Sequence, residues 1–205
     1  MKSKKLNNKT IQDAIQHLKK VDRDLKELIS QRKDIIKPFH REVGFEGLAN
    51  LIVEQQLSVA SAKAIFSRVR DIVKPFAPDN FLLMSEKKLR ETGLSRQKIN
   101  YLRGIASKIK SKEINLQDLN KLTDQEVIEE LVQVKGIGYW TANCYLIACM
   151  RRIDAWPSSD LGLLISIQKL KGLKERPKSL TIEKIAEPWR PYRSVAALLL
   201  WSSYD

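Results

Sequence analysis

The chain has 205 residues, of which 43% are hydrophobic, enough for one globular domain or for two small lobes that share a core. The chain has 37 Lys and Arg residues against 24 Asp and Glu residues, so its formal net charge is +13. This charge favours a polyanion such as nucleic acid as the binding partner, although a basic protein with a merely solvated surface has the same composition. Two cysteines are too few for a four-thiolate iron–sulfur cluster or a zinc ribbon, and no apolar run is long enough to span a bilayer. We therefore expect an intracellular protein, either cytoplasmic and nucleoid-associated or nuclear.

Helical periodicity and helix-start signals recur along the chain, without the sustained alternation that is typical of strands. Residues 1–9 are polar and basic, which predicts a mobile tail. Thr10 with Asp13 is a weak capping box that begins the first helical region, which continues or restarts at "DRDLKELISQR" and ends at Pro38. Apolar residues three and four apart predict the next helix within 45–56.

Capping residues mark the starts of the helices that follow, and the segment from Pro75 to Pro78 is expected to break the chain. The predicted caps are Ser58, Ser85, Ser95 and Thr123, the last in a capping box with Glu126. Three more helices are predicted near residues 160–171, 181–187 and 192–204. The whole pattern predicts an all-α protein of about ten helices.

Two glycines stand two positions apart between two of these helices. Gly136-Ile137-Gly138 predicts a tight hairpin, and one interpretation is an ordinary glycine at a helix end with Ile137 packed inward. The other interpretation is a binding site for a DNA phosphate. Glycines allow close approach to the backbone, and the unpaired amides of the next helix attract an anion.

The segment "VKGIGYWTAN", together with "DAWPSSDLGL" after it, resembles the helix-hairpin-helix DNA glycosylase superfamily, in particular its 3-methyladenine DNA glycosylase II branch. Three further segments share the resemblance, namely "LIVEQQLSVASAKAIFSRV", "GLSRQKINYLRGIA" and "WRPYRSVAALLLW". The resemblance implies a two-lobed helical bundle with an active-site cleft between the lobes. One lobe is expected over 44–152, with the helix-hairpin-helix at 123–151, and the other combines 10–43 with 153–205.

Asp160 follows the proline turn and, by its residue type alone, is a favoured helix N-cap. The resemblance implies that it is also the catalytic aspartate of the superfamily. A carboxylate near C1′ of the sugar stabilises the positive charge of an oxocarbenium-like transition state and can orient a water. Since an alkylated purine such as 3-methyladenine is already cationic, one carboxylate suffices. Asp154 is the competing carboxylate and is expected to support the loop.

Aromatic side chains are expected around the extruded base, because an enzyme that acts on a base in duplex DNA must flip it out of the stack. The resemblance places Trp140 and Trp201 in this pocket, with Tyr145 and Trp156 as further candidates, although each ring could be a core residue instead. Trp140 also stands where bifunctional members carry a Schiff-base lysine, and Lys135 is not the equivalent position. The expected reaction is therefore hydrolysis to a free base and an abasic site.

The resemblance also assigns the DNA-contacting backbone. The residues expected at the DNA backbone are Lys135, Gly136, Ile137, Gly138 and Thr141. The loop expected to fill the place of the flipped nucleotide holds Gln55, Gln56 and Leu57, although a helix end before the Ser58 cap explains these residues equally well. No cofactor is required and no iron–sulfur cluster is expected, whereas Na⁺ or K⁺ can bind to the backbone carbonyls of Val132, Val134 and Ile137.

These features together predict a monomeric, monofunctional DNA glycosylase of base excision repair. Its expected partner is double-stranded DNA that contains alkylated purines of the 3-methyladenine or 7-methylguanine type, with no membrane contact. Two alternatives stay open. One is a helix-hairpin-helix module that binds DNA without chemistry, and the other is a superfamily glycosylase for other damaged or mismatched bases.

Overall fold

The computed structural model describes residues 4–32 and 41–203 of the chain. Within these ranges the chain forms twelve α-helices and no β-strand, apart from an isolated antiparallel bridge between Lys5 and Arg152. The predicted all-α class is confirmed. The helices are α1 Asn8–Val21, α2 Arg23–Ser30, α3 Phe45–Glu54, α4 Val59–Ile72, α5 Pro78–Leu83, α6 Glu86–Glu91, α7 Arg96–Lys110, α8 Asp124–Val132, α9 Tyr139–Ala148, α10 Leu161–Leu170, α11 Ser179–Ala186 and α12 Arg193–Trp201. Short 3-10 helices lie at Asp118–Lys121 and Glu187–Trp189.

Local capping sets where several of these helices begin. The hydroxyls of Ser58, Ser85 and Ser95 each accept a hydrogen bond from the backbone N–H three residues further on. Thr123 and Glu126 form the reciprocal capping box that starts α8. These four predicted caps are confirmed, because each depends only on residues within one helical turn.

The N-terminal segment differs from its prediction. Asn7 caps α1, and Thr10 is the partner that completes its capping box. Leu6 is buried, with 1% of its surface exposed, and its N–H donates to the carbonyl of Arg151. The prediction of a mobile tail is therefore wrong for residues 4–9, because the apolar Leu6 anchors them, and residues 1–3 lie outside the described residues.

Two breaks in the helical pattern have local causes. The first helical region restarts at Asp22, whose carboxylate accepts the N–H groups of Asp24 and Leu25 at the start of α2. The predicted break at the segment from Pro75 to Pro78 is confirmed, since α4 ends at Ile72 and α5 begins only at Pro78, where the first helical position requires no N–H donor. The predicted helix end at Pro38 and the predicted last residue of α12, Tyr204, lie outside the described residues.

The helices form two compact units. The first runs from Arg41 to Tyr145, and in it α5 and α3 pack on α7, with α4 on α3. The second joins the described N-terminal residues to those from Leu146 onward, and in it α1 and α10 pack on α12. The chain passes from the first unit into the second within α9. Of the helices in the described ranges, none combines the length and the apolar character that crossing a bilayer requires.

Candidate functional site

Asp160 is the N-cap of α10. Its Oδ1 atom accepts a hydrogen bond from the backbone N–H of Leu163 at 2.9 Å. The same oxygen accepts a second hydrogen bond, from the indole N–H of Trp201 at 2.8 Å. These two donors fix the orientation of the carboxylate, since rotation of the side chain would lengthen both bonds. The predicted capping role of Asp160 is confirmed, and Trp201 is brought into direct contact with it.

Gly162 allows the carboxylate and the indole to approach each other. A Cβ atom at this position would lie 3.1 Å from Asp160 Oδ1 and 3.4 Å from Trp201 Cδ1. A larger side chain would therefore displace one of the two groups. Both groups remain partly exposed, and the neighbouring Leu161 is 52% exposed.

Asp154 supports the loop that leads to Asp160. Its carboxylate accepts hydrogen bonds from Arg190 Nη1 at 2.7 Å and from Arg193 Nε at 2.9 Å. Arg193 also donates to the backbone carbonyl of Asp154 at 2.8 Å. Further along the loop, Ser158 donates to Glu183 at 2.8 Å. These contacts match the supporting role that was predicted for Asp154.

Tyr145 and Trp156 lie in the interior, whereas the prediction placed them in a base pocket. Tyr145 is 0% exposed, and its hydroxyl accepts the N–H of Gly44 at 2.8 Å. Trp156 is 5% exposed and packs edge-on against Trp189, with ring centroids 5.5 Å apart. The second half of α9 is buried around its whole circumference, so an aromatic ring there packs as a core residue. Of the four predicted rings, Trp140 and Trp201 are the two that are not buried.

The hairpin between α8 and α9 turns at Gly136. This residue has φ of 98°, in the left-handed region that favours glycine, and Ile137 donates its N–H to the carbonyl of Val134 at 2.9 Å. A Cβ on Gly136 would lie 2.4 Å from Cγ of Tyr101, whose ring packs against the turn from α7. The missing side chain of Gly136 thus makes room for Tyr101 and not for a ligand. Ile137 is 4% exposed and packs inward. This agrees with the interpretation of Gly136 as an ordinary glycine at a helix end.

Gly138 has different surroundings from Gly136. It is exposed, and a Cβ there would have no heavy atom of another residue within 4 Å. Its carbonyl accepts the N–H of Ala142, which begins the hydrogen bonding of α9. The backbone N–H groups of the first turn of α9 therefore come directly after a glycine that no other residue covers. The side chains of Lys135 and Tyr139, on either side of this glycine in the chain, are exposed. This half of the hairpin has the geometry expected of an anion-binding backbone.

Gln55, predicted as part of the gap-filling loop, contacts the hairpin instead. Its Nε2 atom donates to the carbonyl of Gly136 and to the hydroxyl of Thr141, both at 2.9 Å. Gln56 and Leu57, next in the chain, remain exposed, and Gln56 adopts φ of 57°. The three candidates for the gap-filling loop therefore differ. The side chain of Gln55 is hydrogen-bonded within the protein, whereas those of Gln56 and Leu57 are exposed.

Two residues that the sequence analysis did not single out hold this region together. Lys98 donates to the carbonyls of Val53 and Gln55, both at 2.7 Å, and Tyr101 covers Gly136. Burial lowers the pKa of Lys98 from its ordinary value. Both side chains come from α7, more than thirty positions away from the backbone that they contact, so no local spacing in the sequence indicates these contacts.

Residues 49–191 match the HhH-GPD superfamily of base excision DNA repair proteins. The chain belongs to this superfamily. The matched range contains Gln55, the hairpin and Asp160, so the resemblance inferred from the hairpin and aspartate segments is confirmed.

Relatives of this superfamily member include two proteins of Schizosaccharomyces pombe. The chain is 32% identical over 163 residues to DNA-3-methyladenine glycosylase 1, covering 78% of this chain and 72% of that protein. It is 27% identical over 194 residues to the alkylbase DNA glycosidase-like protein mag2, covering 92% of this chain and 91% of that protein. Among solved structures, the Schizosaccharomyces pombe 3-methyladenine DNA glycosylase Mag1 in complex with abasic DNA matches with a TM-score of 0.87 and 30% identity. That match covers 93% of this chain and 96% of that chain.

Proposed function

We propose that this superfamily member is a monofunctional DNA glycosylase that releases alkylated purines from double-stranded DNA. The observation that carries the proposal is the fixed carboxylate of Asp160, which is partly exposed and is held by two N–H donors. Superfamily membership, the 3-methyladenine glycosylases among its relatives and the net charge of +13 support the same function.

Asp160 would act on the sugar in this reaction. The bond from C1′ to the nitrogen of a cationic purine breaks, and the base leaves with both electrons as a neutral molecule. The Asp160 carboxylate stabilises the positive charge that develops on the sugar. A water adds its oxygen to C1′ and passes a proton to the carboxylate, which leaves a free base and an abasic site. The N–H groups of Leu163 and Trp201 keep the carboxylate in place throughout.

The exposed indole surface of Trp201, which bonds to Asp160, would bind the flipped base, and the pocket role of Trp140 stays a prediction. A cationic alkylated purine is attracted to the face of an electron-rich ring, and tryptophan is the best of the aromatic residues for this contact. Trp140 cannot form a Schiff base with C1′, because an indole has no nucleophilic amine. The proposed enzyme therefore leaves the DNA strand intact at the abasic site.

The hairpin would bind the DNA backbone. The first amides of α9, beside the open Gly138, are suited to a phosphate, and the exposed Lys135 adds positive charge. Gln56 and Leu57 are the side chains available to fill the space of the flipped base. The carbonyls of Val132, Val134 and Ile137 would hold Na⁺ or K⁺ if a cation joins the hairpin to the phosphate. Val134 already accepts one hydrogen bond, but a carbonyl oxygen has a second lone pair.

The test is release of free methylated purine from an alkylated DNA duplex by the purified protein, measured by chromatography. We expect release by the wild-type chain, no detectable release by Asp160→Asn, and unchanged release by the matched control Asp118→Asn, which alters an exposed carboxylate. Asp160→Asn should still bind the duplex, since the hairpin is unaltered. No release by the wild-type chain from any alkylated duplex would overturn the proposal.

A second assay separates hydrolysis from strand cleavage. After base release, the labelled strand should stay full-length until alkali or heat cleaves the abasic site, and borohydride should trap no covalent complex. Trapping of the protein on DNA would contradict the monofunctional reaction. If Asp160→Asn retains every measurable function of the wild-type chain, the protein is instead a DNA-binding module without chemistry.

A further inference from the structure

Gln55 joins the α3–α4 turn to the hairpin, although 81 residues separate Gln55 from Gly136. The carbonyl of Gly136 can only accept a hydrogen bond, so the amide nitrogen of Gln55 must face it. The second hydrogen of that amide points to the hydroxyl of Thr141, which is 2% exposed. Both donors of one side chain are thus used on the hairpin and the first turn of α9.

The backbone of Gln55 is hydrogen-bonded as well as its side chain. Lys98 donates to the carbonyl of Gln55 and to that of Val53, both at 2.7 Å. These carbonyls lie at the C-terminal end of α3, where the last carbonyls of a helix have no partner within the helix and attract a cation. Lys98 therefore holds the C-terminal end of α3 against α7, and Gln55 holds the same end of α3 against the hairpin.

The residues after this anchor face outward. Gln56 is exposed in the left-handed backbone region, and Leu57 is 40% exposed. A non-glycine residue with positive φ persists when the surrounding structure enforces it. A turn from Glu54 to Leu57 supplies part of that enforcement, since the N–H of Leu57 donates to the carbonyl of Glu54 at 3.2 Å and Gln55 has φ of −52°. The contacts of Gln55 and Lys98 hold the first half of this turn in place. The outward turn therefore follows directly on the residue that bonds to the hairpin.

We propose that Gln55 is a positioning residue that sets the spacing between the phosphate-binding hairpin and the turn that fills the gap in the DNA. This inference rests on the proposed function, because it uses the DNA contacts of both elements. Gln55 itself does not touch the reacting atoms. It acts by keeping Gln56 and Leu57 where they can enter the base stack while the hairpin amides bind the adjacent phosphate.

The test compares the affinity for a duplex containing one abasic site with the affinity for the same duplex without it. A gap-filling turn in the correct place favours the abasic duplex, whereas phosphate contacts favour both equally. Gln55→Met keeps the length and charge of the side chain but removes both donors. We expect it to reduce the preference for abasic DNA by about tenfold, with affinity for the intact duplex almost unchanged.

Two further variants make the comparison specific. Thr141→Val removes one acceptor of Gln55 without a change of shape or charge and should reduce the preference in the same direction, by a smaller factor. Gln125→Met is the matched control, since Gln125 is exposed on α8 and bonds only to Glu129 among the contacts described for it, and it should retain the wild-type preference. Thermal unfolding of each variant shows whether the fold is intact.

An unchanged preference in a folded Gln55→Met would overturn the inference. An equal loss of affinity for both duplexes would also overturn it, since a structural defect of the hairpin has that effect. The proposed function is tested separately by base release. If the wild-type chain releases no base, the glycosylase proposal fails, while the comparison of the two duplexes still decides the role of Gln55.

Discussion

Trp201 donates its indole N–H to Asp160 Oδ1 across 2.8 Å, although 41 residues separate the two in the chain. The same oxygen accepts the N–H of Leu163, so the carboxylate is held from its own helix and from α12 at once. This arrangement holds the capping aspartate in one orientation while it stays partly exposed. A group that must face a developing charge benefits from such a fixed orientation, because no reorganisation is needed during the reaction.

Trp201→Phe should lower the rate of base release without unfolding the protein. The change keeps an aromatic ring and removes the donor, so the carboxylate loses one of the two contacts that orient it. We expect a rate about tenfold lower and an unfolding free energy lower by no more than about 1 kcal/mol. Single-turnover base release and urea unfolding measure the two effects. Ser202→Ala, at the end of the same helix, is the control, and a wild-type rate for Trp201→Phe would refute the orienting role.

Alanine substitutions at the two hairpin glycines should affect different properties, the stability at Gly136 and the DNA affinity at Gly138. Gly136→Ala places a Cβ 2.4 Å from the Tyr101 ring at φ of 98°, so the unfolding free energy should fall by about 2 kcal/mol or more. Gly138→Ala meets no neighbour and should change that energy by less than about 0.5 kcal/mol. However, its methyl group projects from the open side of the hairpin, so DNA affinity should fall by about tenfold.

Urea unfolding and binding to an intact DNA duplex check both predictions on the same samples. The informative comparison is between the two variants, since they add the same methyl group two positions apart. Wild-type DNA affinity for Gly138→Ala would show that DNA does not contact the hairpin at this glycine. Wild-type stability for Gly136→Ala would show that Tyr101 can move away from the turn.

The sequence predicts those features that depend on a few neighbouring residues. Ser58, Ser95 and Asp160 all cap helices as expected, because a cap and its acceptor lie within one turn of each other. The hairpin is predicted for the same reason. The assignment of Thr10 as the first cap was wrong because Asn7, three residues earlier, forms the same capping box with Thr10 as its partner.

Contacts between distant segments could not be predicted in this way. Nothing in the spacing of Gln55 or Lys98 indicates that one bonds to Gly136 and the other to the end of α3. The burial of Tyr145, by contrast, had a signal in the sequence. The second half of α9 lacks a polar face, which indicates a helix that is buried on all sides, and a ring on such a helix belongs to the core.

Asp22 should make stability depend on acid pH. It is 9% exposed and accepts hydrogen bonds from Lys171 and Trp189, both at 2.8 Å. Burial alone raises the pKa of this carboxyl, but the hydrogen bonds from Lys171, the backbone of Leu25 and Trp189 outweigh it, so the pKa lies below its ordinary value. A carboxyl of this kind stabilises the fold above its unfolded-state pKa and loses that effect as the pH falls through its folded-state pKa.

Asp22→Asn should therefore lower the unfolding free energy by about 2 to 3 kcal/mol near neutral pH. The difference from the wild-type chain should begin to narrow below about pH 4, where the carboxyl of the unfolded wild-type chain becomes neutral, and should continue to narrow as the pH falls towards the lower pKa of the folded state. Burial lowers the pKa of Lys171, but its bonds to Asp22 and Asp24 outweigh this and raise the pKa, so the partner stays charged over the whole range. Urea unfolding between about pH 3 and pH 7 measures the difference, and a constant difference would rule out this linkage.

Asp154→Ala should destabilise the fold far more than the loss of an exposed ion pair. Asp154 pairs with Arg193, whose side chain is 14% exposed, and with Arg190. Removal of the carboxylate leaves a largely buried guanidinium without its acid partner, which should cost about 3 kcal/mol in unfolding free energy. Asp71→Ala is the control, since the Asp71–Lys74 pair is 3.8 Å long and mostly exposed, and it should cost less than about 0.5 kcal/mol. Urea unfolding compares the two, and equal effects would mean that Asp154 does not support the loop before Asp160.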